Sequence, residues 1–161
     1  MSLNVNQFKH APLPGELDLT VSPEGSVFSC RYDVTDPGET LETGEGVKLV
    51  DLGADDSAGP PFVGTRDDDD DKIFGIKILS TKAGEVEPGA VTQIAKAGAV
   101  VFMTASGALA RGVQVSLVNG TPGSVQAVGT KAVFGIVLDK AADGDVVRVL
   151  ITADGITEGT T

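Results

Sequence analysis

The side chains that most often perform chemistry are scarce and poorly grouped in this chain. Its 161 residues include one histidine, His10, and one cysteine, Cys30. A histidine-based catalytic triad needs an imidazole held by a carboxylate on a rigid element, whereas His10 lies in a proline-containing segment that favours extended structure. One histidine and one cysteine also cannot form a zinc site of conventional spacing. We therefore expect neither catalysis at His10 nor a zinc site.

Carboxylates are abundant, and two groups of them resemble parts of functional sites. The tract Asp67 to Asp71 places five acidic side chains in a row before Lys72, which predicts a solvated loop, with a cation site or a contact to a basic neighbour as open alternatives. A bare aspartate run lacks the glycine turn of a calcium loop. The triplet Asp143-Gly144-Asp145 predicts a turn in which glycine accepts a positive φ.

The sequence also gives little support for enzymes that depend on paired carboxylates or on phosphate-binding loops. Most of the 23 acidic residues lie in predicted turns or in the tract, where they are solvated. The sugar-binding cleft of a glycosidase would also be expected to contain aromatic side chains in addition to its paired carboxylates. Tryptophan is absent and Tyr32 is the sole tyrosine. The glycines separate strands and do not open a helix, so a Walker-type loop is absent. We predict a protein that is not an enzyme, with no catalytic residues, bound metal or cofactor.

Net charge excludes one further class of partner. The first 72 residues contain 16 acidic and 5 basic side chains, and the remainder contains 7 of each. Nucleic-acid binding needs clustered Lys and Arg, so nucleic acid is not an expected partner. Neither a secretion signal nor a run of about 20 apolar residues occurs, so we expect a soluble protein made in the cytoplasm that does not bind membranes. A chain of this length can bury one core, and we expect Cys30 to lie in it.

Two apolar segments near the C-terminus predict the architecture. Residues 132–139 and 145–152 are rich in β-branched residues and are joined by Ala-Ala-Asp-Gly, which is typical of a β-hairpin. The triplet Phe134-Gly135-Ile136 also occurs as Phe74-Gly75-Ile76, with glycine placed as at a bulge or a barrel corner. Helix is expected only as a short turn at residues 140–143.

Further strands follow at short spacing with glycine turns between them. Residues 41–51 and 109–119 share a Gly turn that leads into an alternating strand, and residues 89–95 form a looser third copy. This spacing is too irregular for a solenoid. It predicts an all-β fold, a small β-sandwich or barrel-like domain over residues 26–161 with an acidic loop at 52–72. The remaining predicted strands are 27–34 (closed by a turn at 35–38), 73–80, 90–95, 99–105, 113–119 and 124–128.

The first 25 residues predict an extended N-terminal arm, because prolines and glycines recur in them. Leu17, Leu19 and Val21 alternate with polar residues, the pattern of a strand with one buried face. The arm could be the first strand of the protein's own sheet, or it could add to a neighbouring chain by main-chain hydrogen bonds. For the second case the candidate binding residues are Leu3, Val5, Phe8, Leu13, Leu17, Leu19 and Val21.

The second half of the chain resembles a known family. Residues 102–115, Gly129 and residues 134–151 contain a strand with a Gly-Ile core, an Ala-rich turn, Gly-Asp and a terminal strand. This arrangement is similar to that of the capsid decoration, or cement, proteins of tailed bacteriophages, and the Gly-Glu-Gly-Val-Lys-Leu-Val-Asp segment at 44–51 also fits. The acidic tract is not part of the pattern.

The resemblance implies a β-rich structural protein on the outer surface of a virion. Members of the family sit on the phage head as symmetric oligomers, commonly homotrimers, and clamp neighbouring major capsid protein subunits. The implied partners are therefore the major capsid protein and further copies of this chain, with a dimer also open. Two alternatives are a phage or bacterial surface adhesion module and, with less support, a small trimeric β-sheet hydrolase.

Overall fold

The computed structural model describes residues 11–32, 40–50, 60–66, 72–78 and 89–153, and these ranges contain no helix. Their strands form two closed five-stranded barrels, so the predicted all-β, barrel-like fold is confirmed. The strands in chain order are β1 (Val27–Tyr32), β2 (Gly46–Leu49), β3 (Phe62–Thr65), β4 (Gly75–Lys77), β5 (Val91–Ala95), β6 (Val100–Ala105), β7 (Gln114–Leu117), β8 (Ser124–Ala127), β9 (Gly135–Val137) and β10 (Val146–Ile151).

Most predicted strands are observed, and within the described ranges their ends differ from the predicted ones by up to three residues. The predicted C-terminal hairpin is present as the antiparallel pair β9 and β10. Two predictions were wrong. Part of the predicted acidic loop forms β3, and the predicted helical turn at 140–143 is instead a bridge at Ala141 followed by a turn. The turn predicted at residues 35–38 lies outside the described residues.

The two barrels have the same topology. The strand order is β1-β3-β2-β4-β5 in the first barrel, and β6, β8, β7, β9 and β10 take the corresponding places in the second. In each barrel the first and third strands pair in parallel, and every other pairing is antiparallel. Residues 26–161, which we assigned to a single β-rich domain, thus contain one five-stranded unit built twice.

The registers also correspond residue for residue. Val47 pairs with Gly75 in the first barrel, and Val115 pairs with Gly135 in the second. The glycine turns before β2 and β7 are equivalent too: the Gly44 N–H donates to the Lys77 carbonyl at 2.7 Å, and the Gly112 N–H donates to the Val137 carbonyl at 2.8 Å. These pairs define equivalent positions in the two barrels.

The structural equivalence shows which repeated sequence patterns occupy equivalent positions in the two barrels. Residues 41–49 and 109–117 share the pattern Leu-x-x-Gly-x-x-Val-x-Leu and occupy equivalent places. Residues 89–95, predicted to be a third copy of this element, are instead equivalent to residues 144–150, because both strands pair with the first strand of their barrel. That prediction was wrong because a glycine turn before a strand recurs at two different places in each barrel.

The repeated Phe-Gly-Ile triplet marks a close main-chain approach. A side chain on Gly75 would collide with the carbonyl oxygen of Ala95, and one on Gly135 would collide with the carbonyl oxygen of Leu150. Glycine at these positions lets the fourth strand lie tightly against the fifth. The glycine of the triplet is thus explained at both sites by close main-chain approach within the barrel.

Apolar side chains form two buried clusters. One lies within the first barrel and contains Cys30, Tyr32, Leu41, Val47, Val63 and Ile94. The other fills the second barrel and also includes Ile73, Ile76, Ile78 and Ala95 from the first. Because this second cluster takes residues from both barrels, the two units share buried apolar surface.

The interior of the first barrel carries an unusual pair of titratable groups. Cys30 is fully buried, as predicted, and burial raises the pKa of its thiol to about 11. Lys77 is also almost completely buried, at the position where the second barrel has the core residue Val137. Its ammonium group donates to the Thr43 hydroxyl at 3.0 Å, and burial lowers its pKa. The first barrel thus contains a lysine at the position where the second barrel has an apolar side chain.

Three glycines form the contact between the barrels and the N-terminal segment. Gly15, Gly44 and Gly123 have φ angles of 83°, 84° and 80°, a region that side chains rarely adopt. A Cβ on Gly44 would lie 2.6 Å from the Gly123 Cα, and one on Gly123 would lie 2.7 Å from the Pro14 Cβ. The Gly123 N–H donates to the Gly44 carbonyl at 3.0 Å. We call Gly15, Gly44 and Gly123 the three-glycine junction.

Replacement of Gly44 by alanine should destabilise the protein more than the same change at the equivalent Gly112. Both residues have a positive φ, which costs alanine about 1–2 kcal/mol, but a Cβ at Gly112 meets nothing within 4 Å. The additional loss of unfolding free energy in Gly44→Ala relative to Gly112→Ala, measured by thermal or denaturant unfolding, gives the contribution of the junction contact. Equal losses in the two variants would show that the junction tolerates a side chain.

Lys77→Met should stabilise the protein by roughly 1–3 kcal/mol near neutral pH, because it removes a buried charge. The lowered pKa means that the unfolded chain binds the proton more tightly than the folded one. Wild-type stability should therefore rise relative to the variant as pH increases towards 10.5, the ordinary lysine pKa. Cys30 acts in the opposite direction between pH 9.0 and about 11, but it is common to both proteins. Denaturant unfolding from pH 7 to 10.5 measures the difference, and a pH-independent difference would contradict the assignment.

Candidate functional site

Part of the predicted N-terminal arm is docked on the second barrel of its own chain. The Gly15 N–H donates to the Phe102 carbonyl at 2.7 Å, and the Phe102 N–H donates to the Glu16 carbonyl at 2.9 Å. Leu17 forms an antiparallel bridge with Val101. The described segment thus adds a short strand to the first half of β6, since β8 pairs only with the second half.

Of the predicted binding residues in this segment, one is used for packing and three are exposed. Leu17 packs against the cluster that fills the second barrel. Leu13, Leu19 and Val21 are 50%, 81% and 50% exposed. The prediction of a strand with Leu17, Leu19 and Val21 on one buried face was therefore wrong beyond Leu17. We call Leu13, Leu19 and Val21 the exposed apolar residues of the arm.

A turn centred on Asp18 ends the docked strand. The Asp18 Oδ1 atom accepts hydrogen bonds from the Thr20 N–H at 3.0 Å and the Thr20 hydroxyl at 2.6 Å. Ser22 then returns to the barrel, where its hydroxyl accepts from the Val100 N–H at 3.0 Å. An aspartate that bonds the main chain two residues later is typical of such turns, and it competes with strand continuation. This local bonding is why the alternating pattern does not continue as a strand.

An ion-pair network holds this turn to β10. Arg148 makes two hydrogen bonds to Asp139, from Nε and from an Nη atom, each at 2.9 Å. Its other Nη atom lies 3.8 Å from Asp18, which is almost buried. The hydrogen bond from Arg148 lowers the pKa of Asp139, and the same bond raises the pKa of Arg148. The two-point contact with Asp139 fixes the Arg148 guanidinium, which thereby lies 3.8 Å from the Asp18 carboxylate of the turn.

The remaining candidates from the sequence are not brought together with the arm. Leu3, Val5, Phe8, His10 and the tract Asp67–Asp71 lie outside the described residues. Asp143 and Asp145 form the predicted turn: the Gly107 N–H donates to Asp143 Oδ1 at 2.7 Å, and the Ala142 N–H donates to Asp145 Oδ2 at 2.9 Å. Gly144 between them has a φ of 85°. The turn interpretation of this triplet is confirmed.

Two negative findings apply to the described ranges alone. No group of three or more His, Cys, Asp or Glu side chains converges there in a way that could hold a metal ion. The same ranges hold no helix with the length and apolar character needed to cross a membrane.

Sequence reasoning missed the residues that position the arm. Arg148 and Ser22 carried no motif, because their contacts with Asp18 and Val100 join residues far apart in the chain, and Asp139 acts by holding the Arg148 side chain. Pro14 and Gly15 are among the prolines and glycines that predicted an extended arm, but their close packing at the three-glycine junction had no signal in the sequence. The resulting site offers exposed apolar side chains on a main chain fixed by hydrogen bonds, which suits recognition of another macromolecule by surface contact.

Comparison with solved structures gives a distant structural likeness. The chain is similar to the crystal structure of the N base of head fiber gp8.5 of bacteriophage phi29, with a TM-score of 0.45 and 15% identity over 82% of this chain and 98% of that chain. No protein-family model matches the sequence. No curated protein matches it either.

Leu17→Ala should loosen the docked segment, whereas Leu19→Ala should not. Leu17 packs on the core cluster, and its truncation should cost about 2 kcal/mol or more, while Leu19 is mostly exposed. Amide hydrogen exchange at Gly15 and Asp18, whose N–H groups bond to β6, should accelerate in the first variant. Unchanged exchange in Leu17→Ala would show that the main-chain bonds alone hold the segment.

Proposed function

We propose that this protein is a decoration, or cement, protein of a tailed-bacteriophage head. It binds the outer surface of the capsid as a homotrimer and stabilises contacts between neighbouring major capsid protein subunits. The observation that carries this proposal is the resemblance of residues 102–115, Gly129 and residues 134–151, together with 44–51, to that family. Under this proposal the protein performs no reaction and needs no cofactor.

The repeated barrel gives the proposal physical support. Segment 44–51 and segment 109–119 run through equivalent turns and strands, so the family-like elements belong to one structural unit that occurs twice. Two similar units in one chain, multiplied by oligomer symmetry, offer many contacts to a repetitive surface. Each contact can be weak, because multivalency raises the effective concentration of the others.

The arm supports the same role through its exposed apolar residues. Leu13, Leu19 and Val21 present apolar side chains on a segment anchored by Leu17 and Arg148. Such anchoring reduces the entropy lost when a surface binds, because the main chain is already ordered. We propose that these three residues contact the capsid, and that residues 1–10, with Leu3, Val5 and Phe8, extend the contact.

Replacement of Leu13, Leu19 and Val21 by serine should lower binding to purified undecorated heads by at least tenfold, because apolar contact area is lost. A matched variant with Val113→Ser and Val133→Ser, two exposed valines on the second barrel, should bind as the wild type does. Cosedimentation and electron microscopy of the heads measure stoichiometric binding. Native mass measurement should give three chains per particle for every variant.

The outcomes separate the proposal from its alternatives. Equal binding by the arm variant and the wild type would remove the arm from the capsid contact. A wild-type protein that does not bind heads but binds a glycan or a cell surface would instead be an adhesion module. Substrate turnover by a trimer that does not bind heads would favour the small hydrolase.

A further inference from the structure

The buried lysine of the first barrel is connected to the docked arm through one side chain. The Lys77 ammonium donates to the Thr43 hydroxyl at 3.0 Å. The γ-methyl group of the same threonine lies against the arm, because a Cβ on Gly15 would meet Thr43 Cγ2 at 2.7 Å. Thr43 therefore contacts the buried lysine with its oxygen and the three-glycine junction with its methyl group.

Main-chain bonds hold this part of the first barrel in a defined position. The Lys77 N–H donates to the Glu45 carbonyl at 3.0 Å, and the Gly44 N–H donates to the Lys77 carbonyl at 2.7 Å. Lys77 thus lies directly beside the turn that carries Thr43. Because the main chain is fixed by these bonds, the freedom left to the Thr43 side chain is rotation about its Cα–Cβ bond.

The stereochemistry of threonine makes that rotation a single choice. Oγ1 and Cγ2 are attached to the same Cβ, so a rotamer that directs the hydroxyl at one partner also fixes the direction of the methyl group. A hydrogen bond from a charged donor is stronger than one between neutral groups. The Lys77 ammonium therefore selects the rotamer of Thr43 in which the methyl group faces Gly15.

The second barrel provides an internal comparison. Val137 takes the place of Lys77 there. Arg111 takes the place of Thr43, since each residue precedes the turn glycine of its barrel, and Arg111 is exposed. A Cβ at Gly112 would meet nothing within 4 Å. The buried lysine thus occurs in the barrel whose turn packs on the arm, and an apolar residue replaces it in the other barrel.

We propose that Lys77 is a positioning residue for the arm: its ammonium fixes the Thr43 side chain, whose methyl group forms the surface on which Gly15 is seated. An apolar residue, as in the second barrel, would avoid the desolvation of an ammonium group. The order that the lysine gives to the arm explains its presence. The inference rests on the proposed function for its consequence at the capsid, because a loosened arm loses more entropy when it binds.

Three variants separate the ammonium, the methyl group and the hydrogen bond between the two side chains. Lys77→Met removes the ammonium and keeps a long side chain. Thr43→Ser keeps the hydroxyl for Lys77 and removes the methyl group that faces Gly15. The double variant Lys77→Met with Thr43→Val replaces the hydrogen bond by apolar contact and keeps a methyl group towards the arm. Thr130→Ser, the same change at an exposed threonine of the second barrel, is the matched control.

Amide hydrogen exchange measures the order of the arm directly. The Gly15 and Asp18 N–H groups, which bond to β6, should exchange at least tenfold faster in Lys77→Met and in Thr43→Ser than in the wild type. The Gly112 N–H, which bonds within the second barrel, should exchange no faster. In the double variant both arm amides should return to within threefold of their wild-type rates, and Thr130→Ser should match the wild type.

The direction of these effects distinguishes positioning from a merely structural role. Lys77→Met should raise the stability of the whole protein, so faster exchange confined to the arm is not general loosening of the fold. Wild-type exchange rates at Gly15 and Asp18 in Lys77→Met would overturn the inference. Equal acceleration at Gly112, or arm amides that stay fast in the double variant, would overturn it as well.

Purified undecorated heads separate this inference from the proposed function. If the wild type binds heads and Lys77→Met binds them at least tenfold more weakly, the ordered arm contributes to the capsid contact. If the wild type binds heads but the arm amides of Lys77→Met exchange at wild-type rates, the positioning role fails although the decoration role stands. If the arm amides respond as expected but the wild type does not bind heads, the positioning role stands and the decoration role fails.

Discussion

Close contact between glycines without side chains holds this molecule together. At the three-glycine junction, the turn before β2, the turn before β8 and the N-terminal segment meet at main-chain distances that no Cβ could share. All three glycines also have positive φ angles, so two separate constraints select glycine at each position. The junction brings the N-terminal segment against both barrels, in addition to the bonds of the segment to β6 and the buried apolar cluster that the barrels share.

The two barrels share one topology and register but differ in their interiors. Their registers agree at every pairing, and both keep the glycine of the Phe-Gly-Ile triplet because main-chain approach at that corner admits no side chain. The interior is less constrained: where the second barrel has Val137, the first tolerates buried Lys77. Along the sequence, residues 27–95 contain 15 acidic and 6 basic side chains, whereas residues 96–153 contain 3 acidic and 5 basic ones. Main-chain geometry is thus shared, and side-chain chemistry differs.

The two barrels also differ in what is docked on them. The second barrel carries the arm, which packs through Leu17 and lies beside Arg148, whose side chain is held by Asp139. In the first barrel, none of the described residues makes a main-chain hydrogen bond to the equivalent positions of β1, Val27 and Ser29, on the side where β3 pairs. Under the proposed decoration role, the barrel that carries the arm is the one whose exposed apolar residues contact the capsid.

Local chemistry determined much of this protein from the sequence. Alternating β-branched residues and glycine turns predicted the strands, the hairpin at 132–152 and the turn at Asp143, because each depends on neighbours in the chain. The burial of Cys30 was predicted from its residue type alone. Strand β3 was missed because four residues between prolines and an acidic tract carry too little pattern. The tertiary structure alone decided the duplication, the end of the arm strand after Leu17, and the contacts of Lys77 and Arg148. These features depend on the register between strands that are far apart in the chain. Because the connecting loops differ in length, that register cannot be inferred from the sequence.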